Sequence, residues 1–147
     1  MLSEYLTSEM ISFKESAENW EEAIKIASQP LLEQQFIEKE YIDTMISNVK
    51  EFGPYIVMVP GFAMPHARPE NGVNKLGVSL LILGKETLFN DEKAASVFLV
   101  LAATDPESHL ALLSELSSLL SNEENVARLA AARSESEVFT ILKEESK

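Results

Sequence analysis

The chain has no cysteine among its 147 residues. Disulfides, thiol nucleophiles and thiolate-bound metals are thereby excluded, and the absence fits a reducing compartment such as the cytoplasm. No apolar run reaches the roughly 18 residues that a membrane-crossing helix needs. The opening MLSEYLTSEM lacks the basic region and long apolar stretch of a secretory signal. No direct membrane insertion is expected, so any service to a membrane process is expected from solution. Basic residues are scarce: 12 Lys and Arg stand against 24 Asp and Glu, a formal net charge of −12. That balance argues against nucleic acid, whose phosphates need Lys and Arg to displace counterions, and against an anionic membrane surface. It suits a basic protein partner, because complementary charge speeds encounter. Histidine is scarce as well, with only His66 and His109.

What is present reads as one ordinary globular domain over 1–147, with 46% apolar and 24% charged residues. MISF, at 10–13, is a short strand candidate. SAENWEEAIKIASQPLLEQQF carries Trp20, Ala23, Ile24 and Ala27 at helical spacing, and Pro30 is expected to end or kink that helix. EKEYIDTMISNVKEF repeats the pattern through Tyr41, Ile42, Met45, Ile46 and Val49 until Gly53-Pro54 stops it. YIVMV, KLGVSLLIL and ASVFLVLAA read as strands, and such continuous apolar runs are typical of strands covered on both faces. The stretch from Thr104 to Glu145 reads as two or three short amphipathic helices broken at Ser121-Asn122 and Ser134. Thr104 and Glu107 have capping-box spacing, and Pro106 suits a first turn. The fold class is therefore α/β: a central sheet with helices on its faces. The link RPENGVN is too short for a crossover helix, which points to some antiparallel pairing and a mixed sheet.

The stretch GFAMPHARPENGV concentrates the chemistry. Pro65 fixes its own backbone and pushes Met64 toward extended geometry, so the chain entering His66 is stiff. A stiffly held imidazole has less orientational freedom to lose at a transition state. On local pattern alone, an idle loop histidine is equally compatible. A metal site finds little support, because no HxH or HExxH spacing exists. A Ser-His-Asp triad is open by spacing, but no GxSxG elbow accompanies it. His109 falls early in the helix after ASVFLVLAATDPES, where strand gives way to helix and α/β proteins bind ligands. Unpaired N–H groups there favour anions and keep an imidazole neutral. The leucines at 110, 112 and 113 equally support a plain first-turn residue beside the core.

AMPHARPENGV, a following strand and then HLALLSEL resemble the enzyme IIA components of the bacterial phosphotransferase system, in the mannitol/fructose-type fold group. The longer GPYIVMVPGFAMPHARPENGV is similar to the ascorbate-specific branch. The resemblance spans nearly the whole chain and implies a mixed sheet flanked by helices. It implies that His66 accepts a phosphoryl group from phospho-HPr and passes it to a cysteine of enzyme IIB, with the membrane enzyme IIC downstream and L-ascorbate as the imported substrate. His109 would support the first ring and the phosphoryl group, with no metal or organic cofactor. Arg68 would touch the phosphoryl oxygens or a partner's rim, although an exposed charge often does little. Thr104 and Ser108 would offer hydroxyls near His109, with capping an equal explanation for Thr104. Lys50 and Lys75 are weaker cation candidates. Phe62 and Met64 beside His66 are candidates for docking a partner. The alternative is a regulatory module of the same fold that accepts phosphate but binds a transporter, kinase or transcription regulator without relaying it.

Overall fold

Two interior strands organise the molecule. In the computed structural model, which describes residues 2–145, β4 (Gly77–Leu88) and β5 (Ala94–Ala102) pair antiparallel, Leu80 opposite Leu99 and Leu81 opposite Phe98. β1 (Ile11–Lys14) adds parallel to β4, and β3 (Gly61–Ala63) adds parallel to β5. β2 (Val57–Val59) completes the sheet antiparallel to β3, giving the order β1-β4-β5-β3-β2. Every residue from Gly77 to Leu83 is buried, as are Ala95 and 97–102. An apolar run without alternation is what a strand covered on both faces requires.

Among the described residues there are six α-helices: α1 (Leu2–Tyr5), α2 (Trp20–Glu33), α3 (Lys39–Phe52), α4 (Pro106–Leu120), α5 (Glu123–Ala131) and α6 (Glu135–Glu145). α2 lies on the face shared by Gly77, Ser79 and Leu81, where the buried Ser79 hydroxyl donates to Ala27 O at 2.6 Å. On the opposite face Gly61 approaches Val126 of α5, where a β-carbon would meet that side chain at 3.4 Å. The core between these layers is apolar, with Ile24, Leu31, Met45, Phe62, Leu81 and Phe98 fully buried.

Most expected elements are present, with six corrections. Pro30 does not end α2; the helix continues to Glu33, and Gln34 N–H reaches Pro30 O at 3.2 Å. A proline costs the bond its own nitrogen would make, and the remaining turn holds without it. YIVMV is an edge strand, not a buried one: Met58 is exposed. Between Pro60 and His66 lies a strand, β3, too short to read from three residues. Residues 2–10, expected to be without secondary structure up to MISF, form α1 and a 3-10 turn at Ser8–Met10, so β1 starts at Ile11. Asp105 caps α4, not Thr104: its carboxylate accepts from Ser108 N–H at 2.8 Å. RPENGVN does not join neighbouring strands, because β5 lies between β3 and β4; the antiparallel pairs are β2–β3 and β4–β5.

Candidate active site

His66 follows β3 where that strand leaves the sheet. Its backbone is tied on the N-terminal side: Met64 N–H donates to Ile56 O at 2.8 Å, and Leu101 N–H donates to Pro65 O at 3.0 Å. Ala67 N–H donates to the Tyr41 hydroxyl at 3.0 Å. The ring is tied as well, with Nδ1 2.8 Å from Met64 O. A carbonyl only accepts, so Nδ1 carries the proton of the neutral ring and Nε2 holds a lone pair. Stiffness here therefore comes from both proline and hydrogen bonding.

The second histidine is brought alongside. The ring centroids of His66 and His109 are 5.7 Å apart at 56°, and Tyr55 stands edge-on to His66 at 5.8 Å. His109 reaches this place from the first turn of α4, which starts where β5 ends. Burial first, and the charge His66 takes on second, hold His109 below its ordinary range. Neutral imidazole, with one N–H to offer, is its form near pH 7.

Both rings line a cleft of about 390 Å³ together with Arg68, Asn48, Tyr55 and Asp105. Among the described residues of that wall, Arg68 is the one permanent cation, and it is exposed. Lys50 instead pairs with Glu21 at 3.3 Å, and Lys75 sits 5.0 Å over the Phe36 ring. The Ser108 hydroxyl donates to Asp105 Oδ2 at 3.0 Å and that of Thr104 to the same oxygen at 3.3 Å. These bonds, led by Ser108 N–H, keep the Asp105 carboxyl below its usual range and therefore ionised.

Phe62 and Met64 are core residues, 0% and 1% exposed, and present no docking surface. A residue at the centre of a covered sheet has neighbours on both faces. Tyr55, which lines the cleft, is an exposed apolar group there. Tyr55, Asn48 and Asp105 were not singled out from the sequence. Asp105 had a signal, an Asx residue before Pro106 with a hydroxyl residue three places on; Tyr55 and Asn48 had none, since each reads as part of an ordinary element.

The family model for the phosphoenolpyruvate-dependent sugar phosphotransferase system, EIIA 2, matches residues 4–145. The chain belongs to this family. This EIIA is 38% identical over 135 residues to the ascorbate-specific PTS system EIIA component of Escherichia coli (strain K12), covering 90% of this chain and 88% of the relative. The solution structure of the mannitol-specific cryptic phosphotransferase enzyme IIA from Escherichia coli superposes with a TM-score of 0.89 at 36% identity, covering 97% of this chain and 98% of that one. A complex of enzyme IIAMTL with phosphorylated enzyme IIBMTL from Escherichia coli contains a chain that matches at TM-score 0.81 and 26% identity, covering 94% of this chain and 96% of that one. The expected mixed α/β sheet flanked by helices is thus the architecture of EIIA relatives, and the chain is an EIIA phosphotransferase component of a sugar phosphotransferase system. No helix among the described residues is long and apolar enough to cross a membrane.

Proposed function

We propose that this EIIA carries a phosphoryl group on His66 Nε2 from phospho-HPr to a cysteine of a cognate enzyme IIB, in the cytoplasm, with the membrane enzyme IIC downstream. The observation that carries the reading is the 2.8 Å contact of His66 Nδ1 with Met64 O, which leaves the Nε2 lone pair available to phosphorus. In the first transfer that pair forms the N–P bond while the bond from phosphorus to the donor breaks, its electrons staying with the donor atom. Positive charge developing on the ring meets the carbonyl dipole at Nδ1–H. In the second transfer a cysteine thiolate of enzyme IIB attacks phosphorus, the N–P bond breaks, and Nε2 regains its pair. Both steps balance without a metal or organic cofactor.

Such a transfer needs dispersed N–H character around three oxygens more than covalent help. His109 offers a neutral ring N–H at the cleft, and Arg68 offers its guanidinium. Thr104 and Ser108 belong to the same surroundings through Asp105, whose carboxylate their hydroxyls hold. Exposed Tyr55, edge-on to His66, gives the cleft an apolar rim suited to a protein partner. The EIIA–EIIB complex among the relatives supports enzyme IIB as the acceptor, and the ascorbate-specific relative supports L-ascorbate as the final substrate. The test charges the purified protein from phospho-HPr, then adds candidate enzyme IIB proteins and membranes carrying the matching enzyme IIC. Phosphate on the IIB cysteine and phosphorylation of L-ascorbate rather than mannitol are expected. Phosphate that stays on the EIIA with every IIB contradicts the relay and leaves the regulatory module as the reading.

A further inference from the structure

In a parallel strand pair, a residue whose N–H reaches the carbonyl of residue i ordinarily has its own carbonyl reached by the N–H of residue i+2. β3 and β5 continue in this way past their last paired residues. Leu101 N–H reaches Pro65 O at 3.0 Å, so the next rung should run from Ala67 N–H to Leu101 O. That rung is not direct. Ala67 N–H donates to the Tyr41 hydroxyl at 3.0 Å, and the hydroxyl donates to Leu101 O at 2.7 Å. A phenol has one proton, and the shorter contact takes it; the Ala67 carbonyl, 3.2 Å away, is the poorer acceptor.

The hydroxyl is held in that gap from outside the sheet. Tyr41 lies in the first turn of α3 and its side chain is fully buried. Burial raises its phenol to about 12, so it stays protonated and able to relay. Gly72 lets the loop after His66 close over this turn. Its φ is 128°, and a β-carbon there would lie 3.1 Å from Glu40 Cγ and 3.3 Å from Tyr41 Cβ.

The geometry points to Tyr41 as a positioning residue for phosphoryl transfer: its hydroxyl is an inserted rung that holds the His66 segment one oxygen away from β5, and so sets where the His66 ring stands relative to His109. This rests on the reading of His66 as the acceptor. Without the oxygen, Ala67 N–H either closes directly onto Leu101 O, at about 2.9 Å, or is left unpaired. Either result shifts the residue next to His66. Displacements near 1 Å cost transfer reactions up to about 100-fold.

Tyr41→Phe removes the oxygen alone, and Tyr41, fully buried behind Ala67, does not itself line the cleft. With phospho-HPr as donor, the maximal transfer rate is expected to fall about 10- to 100-fold while the half-saturating donor concentration stays near wild type. Nitrogen-15 NMR of the His66 ring, with no donor present, is expected to show the Nδ1-protonated form giving way to a mixture of tautomers. A wild-type rate with wild-type ring shifts, or a loss confined to half-saturation, overturns the proposal. If Tyr41→Phe does not fold, amide exchange in the wild-type protein decides: a protected Ala67 N–H supports the inserted rung, and a fast-exchanging one contradicts it. A wild-type protein that never takes phosphate on His66 removes the transfer reading, while the ring shifts still report whether Tyr41 orients the imidazole.

Discussion

Two imidazoles with centroids 5.7 Å apart share one cleft, yet they are held differently. His66 is fixed by its own backbone carbonyl neighbour, and His109 by the start of a helix. The lowered proton affinity of His109 has a consequence for stability. Its ordinary value is 6.5 and its folded value is lower, through burial and then His66. Below about pH 6.5 the unfolded chain binds a proton that the folded chain resists, so stability falls as pH drops through that window and is fully present above it. The melting temperature of His109→Gln relative to wild type is therefore expected to be lower at pH 7.5 than at pH 5; an offset independent of pH contradicts the shift. Both histidines were legible as sequence, because a Pro-His corner and a helix-start histidine are local features. Their proximity, the tyrosine at 41 and the aspartate at 105 were not, since these depend on contacts between residues 26 to 60 positions apart in the chain or on which of two adjacent residues caps a helix.

The elements that deliver the site are a helix start, a short strand and a glycine turn. Asp105→Ala removes the cap of α4 and releases Ser108 N–H, so thermal melting is expected to come earlier and His109 to lose its fixed ring position, seen as a changed ring environment by NMR. Gly72→Ala is expected to destabilise by about 1–3 kcal/mol, since an L side chain at φ 128° is strained and also meets Tyr41 and Glu40; a denaturant midpoint equal to wild type contradicts this. In the sheet interior, Leu81→Ala on β4 is expected to cost about 2–5 kcal/mol. The long interior strands and the helices after Asn19, Glu38 and Asn122 were legible because each has many residues obeying one pattern. β2 and β3 were misread or missed because three residues cannot display a period, and their place depends on partners distant in sequence or on one another, β3 on β5 and β2 on β3.

The whole molecule is an acidic body with a small cleft at one end of a covered sheet. A formal charge of −12 favours encounter with a basic donor, so the bimolecular rate of phosphorylation is expected to fall as salt rises through the range where the Debye length drops from about 30 to 8 Å. A rate indifferent to salt contradicts electrostatic steering while leaving the chemistry untouched. Fold class was legible at this scale because composition, apolar runs and the order of elements all agree on one layered α/β arrangement. Phosphate carriage by a single imidazole is the claim on which the rest depends, and its direct measurement compares wild type with His66→Ala. Each protein is incubated with phospho-HPr, and acid-labile, base-stable phosphate is counted on it. Close to one phosphate per chain on the wild type and none on His66→Ala is the expected result; equal labelling of the two proteins contradicts the assignment.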